Sequence, residues 1–220
     1  MFVRNRMTAN PVCVTPNTPI PEALELMIKR KIRRLPVTEG QKLVGIVTQL
    51  DLMRVSPSPA TSLSIFEIHY LISRMTVKEA MTKDPATISP DATIEEAALL
   101  MRERGIGGLP VVENGKVVGI ITETDIFDSF IELLGIRRAG LRLTVQAEDQ
   151  PGVLAEITQV IKEKGVNIIS LAVFPLPEGN KANVVLRLKT EAEKPILAEL
   201  EHHGFKVIHI SKTALTGCGE

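Results

Sequence analysis

Apolar and polar residues recur along this chain with periods that predict a mixed α/β protein. In two early segments, apolar residues lie three to four positions apart, as Ile20, Ala23 and Met27 do, and again Ile94 and Ala97. This spacing predicts an amphipathic helix in each segment. Short apolar runs around these helices predict strands over residues 12–15, 35–38, 42–47, 86–89 and 116–121.

The same segments are copies of each other. Residues 7–54 align without a gap onto residues 81–128, with a constant offset of 74 positions, and 21 of the 48 aligned pairs are identical. A gapless match of this density indicates two copies of one folding unit. Each copy is predicted to run strand–helix–strand–strand–helix, with its last helix beginning at Thr48 or Thr122.

The final third of the chain follows a different pattern. Leu141, Leu143 and Val145 alternate with polar residues, which predicts a half-buried strand over residues 141–147. The elements that follow are predicted as a helix ending at residue 164, strands over 166–174 and 182–189, a helix over 191–203 and a strand over 205–210. This βαββαβ order predicts a ferredoxin-like sandwich.

Connecting segments complete the predicted organisation. Residues 56–59 (SPSP) predict a turn-forming linker, and residues 65–72 predict an amphipathic helix. We therefore expect five regions: a first unit with its linker at 1–74, a second unit at 75–135, a linker at 136–140, a third unit at 141–212 and a C-terminal tail at 213–220.

Composition excludes several classes of function. Basic and acidic residues number 26 each, so the formal net charge is zero. The chain therefore lacks the basic excess that drives nucleic-acid binding and the charge of an electrostatic membrane anchor. Aromatic residues make up only 3% of the chain, which leaves little for stacking single-stranded bases. We expect neither a nucleic acid nor a membrane as a partner.

Cysteine usage favours a reducing environment. Cys13 and Cys218 are far apart in the chain and form neither a disulfide framework nor a four-ligand zinc site. The N-terminal residues have no apolar run after their charges, so we expect no signal peptide. These features predict a cytoplasmic protein without a metal site.

The duplicated unit carries a recurring signature. Leu-Pro-Val at residues 35–37 and 109–111 is followed by Gly-h-h-Thr-x-x-Asp, where h is apolar, at residues 45–51 and 119–125. Two such motifs at matching places in a gapless repeat resemble a tandem pair of CBS domains, also called a Bateman module. The resemblance implies that the two repeats pack as a pair and bind adenosine nucleotides in clefts between the copies.

Two interpretations of the Thr-x-x-Asp motif stay open. We call Thr48 and Asp51 the first corner, and Thr122 and Asp125 the second corner. Each corner has the spacing of a helix capping box. The resemblance implies instead that the aspartate accepts hydrogen bonds from the ribose hydroxyls and that the threonine donates to phosphate. Both roles can coexist at a helix N-terminus, whose free amides favour an anion. The glycine that opens each motif, at 45 and 119, is expected to allow a close approach.

The copies differ just before the Leu-Pro pair, where the first has Arg33 and Arg34 and the second has Gly107 and Gly108. The resemblance implies that each cleft combines the corner of one copy with the adenine pocket of the other. The second corner then faces the arginines, in what we call the arginine cleft, and the first corner faces the glycines, in the glycine cleft. The nucleotide-binding residues implied are Thr48, Asp51, Thr122, Asp125, Arg33, Arg34, Gly107, Gly108, Pro36 and Pro110.

This difference predicts unequal clefts. A charge-assisted hydrogen bond changes affinity roughly tenfold to a hundredfold, so the arginine cleft is expected to bind phosphorylated adenosine more tightly. The glycine cleft, without local positive charge, is expected to be empty or to take a less charged adenosyl ligand. The alternative is that Arg33 and Arg34 only form a solvated basic strand edge.

The last unit carries a second signature. Asp-x-Pro-Gly-x-Leu at residues 149–154, with Gly-Val-Asn-Ile at 165–168, resembles an ACT domain. Proline suits the first helical position and glycine permits close backbone approach. The resemblance implies a homodimer with an amino-acid site at its interface, formed by Asp149, Pro151, Gly152, Val153 and Asn167. The alternative is that residues 149–152 are an efficient turn in a domain that only dimerises.

A CBS pair followed by an ACT domain resembles the acetoin utilisation protein AcuB family. That resemblance implies a non-enzymatic regulatory protein with no catalytic cofactor, an adenosine nucleotide as its regulatory ligand, and an unidentified regulated protein as its partner. Two alternatives stay open. One is a constitutive dimeric scaffold with degenerate ligand sites, and the other is an enzyme that processes a nucleotide.

Overall fold

A computed structural model of the chain describes residues 1–55, 74–177 and 179–213. The predicted linker at 56–59, the predicted helix at 65–72 and residues 214–220 of the predicted tail lie outside the described residues. Backbone contacts divide the chain into two units, Met1–Phe127 and Asp128–Glu220.

The first unit contains the two copies of the repeat. The elements of the first copy are β1 (Thr8–Ala9), α1 (Ile20–Arg30), β2 (Arg34–Glu39), β3 (Lys42–Thr48) and α2 (Gln49–Arg54). Those of the second are α3 (Val77–Ala80), β4 (Thr82–Lys83), α4 (Ile94–Arg104), β5 (Gly108–Glu113), β6 (Lys116–Thr122) and α5 (Glu123–Leu133). A short 3-10 turn at Val3–Asn5 is the first-copy equivalent of α3.

Within the described residues of this unit, the predicted helices and hairpins are confirmed, but the predicted strands over 12–15 and 86–89 are wrong. Only Val14 and Ile88 pair there, as single parallel bridges to Val37 and Val111. Prolines flank both segments in the sequence, and proline has no backbone N–H to donate to a ladder. The N-terminal pairs Thr8–Ala9 and Thr82–Lys83 form short strands that the sequence did not predict.

The N-terminal segment of each copy crosses to the other copy. Strand β1 pairs with β6 of the second copy, and β4 pairs with β3 of the first, at equivalent registers. Val3 N donates to Ala92 O at 2.8 Å, and the equivalent Val77 N donates to Thr18 O at 2.9 Å. Val3 and Val77 are fully buried, so each copy completes the core of the other.

Two glycines make this exchange sterically possible. A Cβ on Gly45 would lie 3.0 Å from Thr82 O, and one on Gly119 would lie 3.2 Å from Thr8 O. These positions were expected to allow close approach, and what approaches them is the strand that crosses from the other copy. The glycine of each signature motif is therefore explained by packing within the fold.

The second unit is a four-stranded antiparallel sheet with two helices. Its elements are β7 (Gly140–Glu148), α6 (Val153–Glu163), β8 (Ile168–Pro175), β9 (Lys181–Leu188), α7 (Lys194–His202) and β10 (Lys206–Thr213). The strand order is β10-β7-β9-β8, so the predicted ferredoxin-like βαββαβ fold is confirmed. Strand β7 starts at Gly140, one residue before the expected unit boundary.

The core of this unit lies between the sheet and its helices. On one face of the sheet, Leu143 and Leu186 are register partners and fully buried. Ile157 and Val160 of α6 and Leu200 of α7 belong to the same buried cluster. Apart from Phe205, the buried cluster is aliphatic, as the low aromatic content of the chain predicts.

Two kinds of feature are absent from the described part of the chain. No helix there combines the length and the apolar character needed to cross a membrane. Across the same residues, no group of three or more histidine, cysteine, aspartate and glutamate side chains is placed to hold a metal ion.

We expect Gly45→Ala and Gly119→Ala each to lower the free energy of unfolding by roughly 1–3 kcal/mol, the usual cost of overpacking a core. The added methyl group meets a backbone carbonyl, which cannot rotate away as a side chain can. Chemical denaturation of both variants measures the change. Gly115→Asn is the control, because nothing lies within 4 Å of a Cβ there and asparagine tolerates its positive φ of 78°. If both alanine variants keep the wild-type free energy of unfolding, the close packing of the crossing N-terminal segments on these glycines is contradicted.

Candidate functional site

The first corner forms a cap at the start of α2. Thr48 N and Thr48 Oγ1 donate hydrogen bonds to Asp51 Oδ2 at 2.9 and 2.6 Å, and Asp51 N donates to Thr48 Oγ1 at 3.2 Å. These reciprocal bonds are a capping box, which satisfies amides that the first helical turn leaves without partners. None of the three bonds uses Asp51 Oδ1, so that oxygen keeps its lone pairs for a further donor.

The second corner has two of these three bonds at the start of α5. Thr122 N and Thr122 Oγ1 both donate to Asp125 Oδ2 at 2.7 Å. The complete capping box is therefore confirmed at the first corner, and the aspartate half of it at the second. A threonine hydroxyl has a single proton, and in each corner that proton is directed at the aspartate. Donation to a phosphate oxygen would require the hydroxyl to turn away from its cap.

The arginine cleft is a cavity of about 330 Å³ within the first unit. It brings the second corner together with Arg33, Arg34 and Pro36, the combination that the resemblance to a CBS pair implies. Its volume lies in the range of small-molecule sites. The remaining lining residues, which were not predicted, are Thr8, Asn10, Pro11, Val12, Lys31, Ile32, Ile120 and Thr124.

The unpredicted lining residues reach the cavity in two ways. Thr8 and Asn10 belong to the N-terminal segment that crosses to the second copy. No local pattern in the sequence predicts that crossing. Lys31 ends α1 in a left-handed conformation, with a φ of 55°. The signal for Lys31 was present, since the basic run at residues 29–34 (KRKIRR) continues into Arg33 and Arg34.

The basic residues of the arginine cleft have no basic equivalents in the second copy. At an offset of 74 positions, Lys31, Arg33 and Arg34 all correspond to glycines, at positions 105, 107 and 108. Asn10 corresponds to Asp84. The two clefts therefore differ in charge at every one of these positions.

The side chain of Arg34 nevertheless lies beside Gly107 and Gly108. The expectation of a glycine cleft without local positive charge is therefore wrong. A Cβ on Gly108 would lie 3.0 Å from Arg34 Cδ, and one on Gly107 would lie 2.6 Å from Arg34 Nη2. The glycines thus provide the space that the guanidinium occupies. Burial, and then the neighbouring Arg33, lower the pKa of Arg34, while Glu123 and Asp125 oppose that shift.

A second, more open cavity of about 510 Å³ lies beside the first corner. Thr48, Leu50 and Met53 line it together with Arg33 and Arg34. The predicted residues Asp51, Gly107, Gly108 and Pro110 line neither cavity, so the predicted glycine cleft is represented here by Thr48 alone. Pro110 is buried in β5. Arg34 therefore borders both cavities, whereas the second corner lines only the arginine cleft.

The predicted amino-acid site of the second unit is split within one chain. Val153 lines a cavity of about 280 Å³, whereas Asn167 lines another of about 430 Å³. Helix α6 separates residues 149–153 from Asn167, and its 11 residues span about 16 Å. The described chain by itself does not bring the five predicted residues together.

The loop before α6 also differs from the prediction in one respect. Pro151 does not occupy the first helical position, because α6 begins at Val153 and Gly152 is its N-cap. Gly152 has a φ of 98°, which glycine adopts without strain. Asp149 N donates to Asn180 O at 2.8 Å, so the loop is tied to the turn before β9.

Comparison with known protein families matches the repeat and the last third of the chain to two different families. The sequence matches the CBS domain family over residues 3–58 and again over 77–132, and the ACT domain family over residues 141–210. An inosine-5'-monophosphate dehydrogenase of Korarchaeum cryptofilum is 37% identical over 117 residues, which are 53% of this chain. The match spans only 21% of that enzyme's length.

Two solved structures resemble the chain over the CBS region. A proposed acetoin utilization protein (AcuB) from Vibrio cholerae is 31% identical, with a TM-score of 0.52, and the match covers 62% of this chain and 95% of that one. CBSX2 of Arabidopsis thaliana, solved in complex with AMP, is 32% identical with a TM-score of 0.50. That match covers 62% of this chain and 98% of CBSX2. The chain belongs to the CBS domain family and carries a tandem CBS pair followed by an ACT domain.

Proposed function

We propose that this protein is a non-enzymatic sensor that binds a phosphorylated adenosine, AMP, ADP or ATP, in the arginine cleft. One observation carries the proposal: a cavity of small-molecule size places an aspartate at a helix N-terminus opposite three basic side chains, Lys31, Arg33 and Arg34. A nucleotide needs both kinds of group, because its ribose offers hydroxyl donors and its phosphate is an anion.

Each part of a nucleotide has a complementary part of the cavity. The positive end of the α5 dipole and the three basic side chains favour the phosphate. A carboxylate accepts hydrogen bonds only, so Asp125 is assigned to the ribose hydroxyls. Val12, Ile32 and Ile120 line the cavity with apolar surface for the adenine. The similarity to CBSX2, which was solved with AMP, supports this ligand class.

The remaining parts of the proposal are the regulatory output and the partners. Nucleotide binding would change the affinity of this protein for a regulated protein. The coupling free energy between the two binding events would typically be about 1–3 kcal/mol. A link to acetoin utilisation rests on the similarity to the Vibrio protein alone. If turnover of AMP or ATP is detected in the presence of Mg²⁺, the enzyme alternative replaces the sensor.

Isothermal titration of the full chain with AMP tests the arginine cleft. We expect Asp125→Asn to weaken AMP binding roughly tenfold to a hundredfold, because it removes a charged acceptor. Glu96→Gln is the matched control. Thr93 and Glu96 form the same capping box at the start of α4, and Glu96 lines neither cavity of the first unit. The control is expected to lose helix stability while keeping wild-type affinity for AMP.

Two results would count against this assignment. Equal AMP affinities in Asp125→Asn and Glu96→Gln would mean that the second corner is only a helix cap. No heat and no thermal shift for the wild-type protein at millimolar AMP, ADP and ATP would support the constitutive scaffold.

For the ACT domain we propose a homodimer whose interface completes an amino-acid site. The five predicted residues sit at the two ends of α6, and a free amino acid is much shorter than that helix. A second copy of the domain can supply the missing half, and pairing of exposed sheet edges provides a means of association.

A thermal-shift screen of the twenty amino acids checks this proposal. We expect at least one to raise the unfolding temperature with increasing concentration, as a ligand of the folded state does. Asn167→Ala should abolish the shift, whereas Gln159→Ala, on α6 but outside both cavities, should retain it. A protein that light scattering finds monomeric, or a screen without any shift, would leave residues 149–152 as a turn.

A further inference from the structure

Arg34 lies on the approximate twofold axis that relates the two copies. Arg34 and Gly108 are equivalent positions of the repeat, and a Cβ on Gly108 would lie 3.0 Å from Arg34 Cδ. Two equivalent positions meet only where the symmetry axis passes between them. A second equivalent pair, Lys42 and Lys116, also meets, as register partners of β3 and β6. One arginine on this axis lies between the two clefts.

The glycine at position 108 leaves room for the Arg34 side chain. A Cβ there would lie 3.1 Å from Arg34 Nη1, so a side chain at 108 would require Arg34 to shift. A second guanidinium would also place two like charges side by side, which is destabilising. The pairing of arginine with glycine thus leaves one guanidinium at this point of the axis, bordering both cavities.

Acidic side chains at the start of α5 attract the Arg34 guanidinium. Glu123 Oε2 and Arg34 Nη2 lie 2.9 and 2.6 Å from the same point, the Cβ position of Gly107, so they are at most 5.5 Å apart. Asp125, in the arginine cleft, and Arg33 also act on Arg34. Both acidic groups belong to the first turn of α5, and Arg34 itself borders both cavities.

We infer that the two clefts compete for Arg34, so that a phosphorylated nucleotide in the arginine cleft weakens the binding of a second one in the glycine cleft. This inference rests on the proposed nucleotide function. Arg33 also lines both cavities, but Arg34 is the basic side chain that lies against the equivalent position of the other copy. A bidentate contact commits its planar fork to one phosphate group at a time. The glycine cleft of an AMP-loaded protein is therefore left for an uncharged adenosyl ligand such as adenosine.

Titration calorimetry with AMP on the full chain tests the competition. Arg34→Ala is expected to weaken both binding events, each roughly tenfold or more. Lys31→Ala is the matched control, because Lys31 lines the arginine cleft but not the open cavity beside the first corner. The Lys31→Ala substitution should weaken only the tighter AMP-binding event, which is assigned to the arginine cleft. If Arg34→Ala behaves as Lys31→Ala does, the shared arginine is excluded while nucleotide binding itself stands.

Two further variants examine the competition with Arg34 intact. Asp125→Asn disables the arginine cleft and releases Arg34, so the glycine-cleft event should become roughly tenfold tighter than in the wild type. Gly108→Ala pushes Arg34 off the axis and should weaken the glycine-cleft event without weakening the other. A glycine-cleft event that is no tighter in Asp125→Asn overturns the inference. Absence of any AMP binding to the wild type would instead refute the proposed function.

Discussion

The reciprocal exchange of N-terminal segments is the constraint on which the first unit depends. Val3 is buried in the second copy and Val77 in the first, and matching backbone hydrogen bonds hold both segments in place. Neither copy has a complete core without the segment of the other. The two copies must therefore fold as a pair, and their approximate twofold arrangement follows from the exchange.

The exchange also builds the arginine cleft. Thr8 and Asn10 reach this cavity only because the N-terminal segment crosses to the second copy. The arginine cleft is thus assembled from both copies, with the corner of the second and the Leu-Pro segment of the first. The open cavity beside the first corner is lined by residues of the first copy. A symmetrical scaffold of this kind gives two comparable sites, and any difference between them has to come from residues that differ between the copies.

One such difference lies where the copies meet. Arg34 and Gly108 are equivalent positions, and the Arg34 side chain occupies the space beside Gly108, which has no side chain of its own. The ACT domain shows the opposite situation: its proposed residues stand at the two ends of α6, and a complete site would need a second copy.

The sequence by itself determined the local structure of this protein. Apolar periodicity is a local property, so it predicted the helices, the hairpins and the βαββαβ order, and the Thr-x-x-Asp spacing predicted both caps. The resemblance to a CBS pair also implied which corner faces Arg33 and Arg34. Tertiary structure alone decided the segment exchange, the reduction of two predicted strands to single bridges, and the place of Arg34 beside Gly108. These features depend on contacts between residues far apart in the chain, and no local pattern records which distant residues meet.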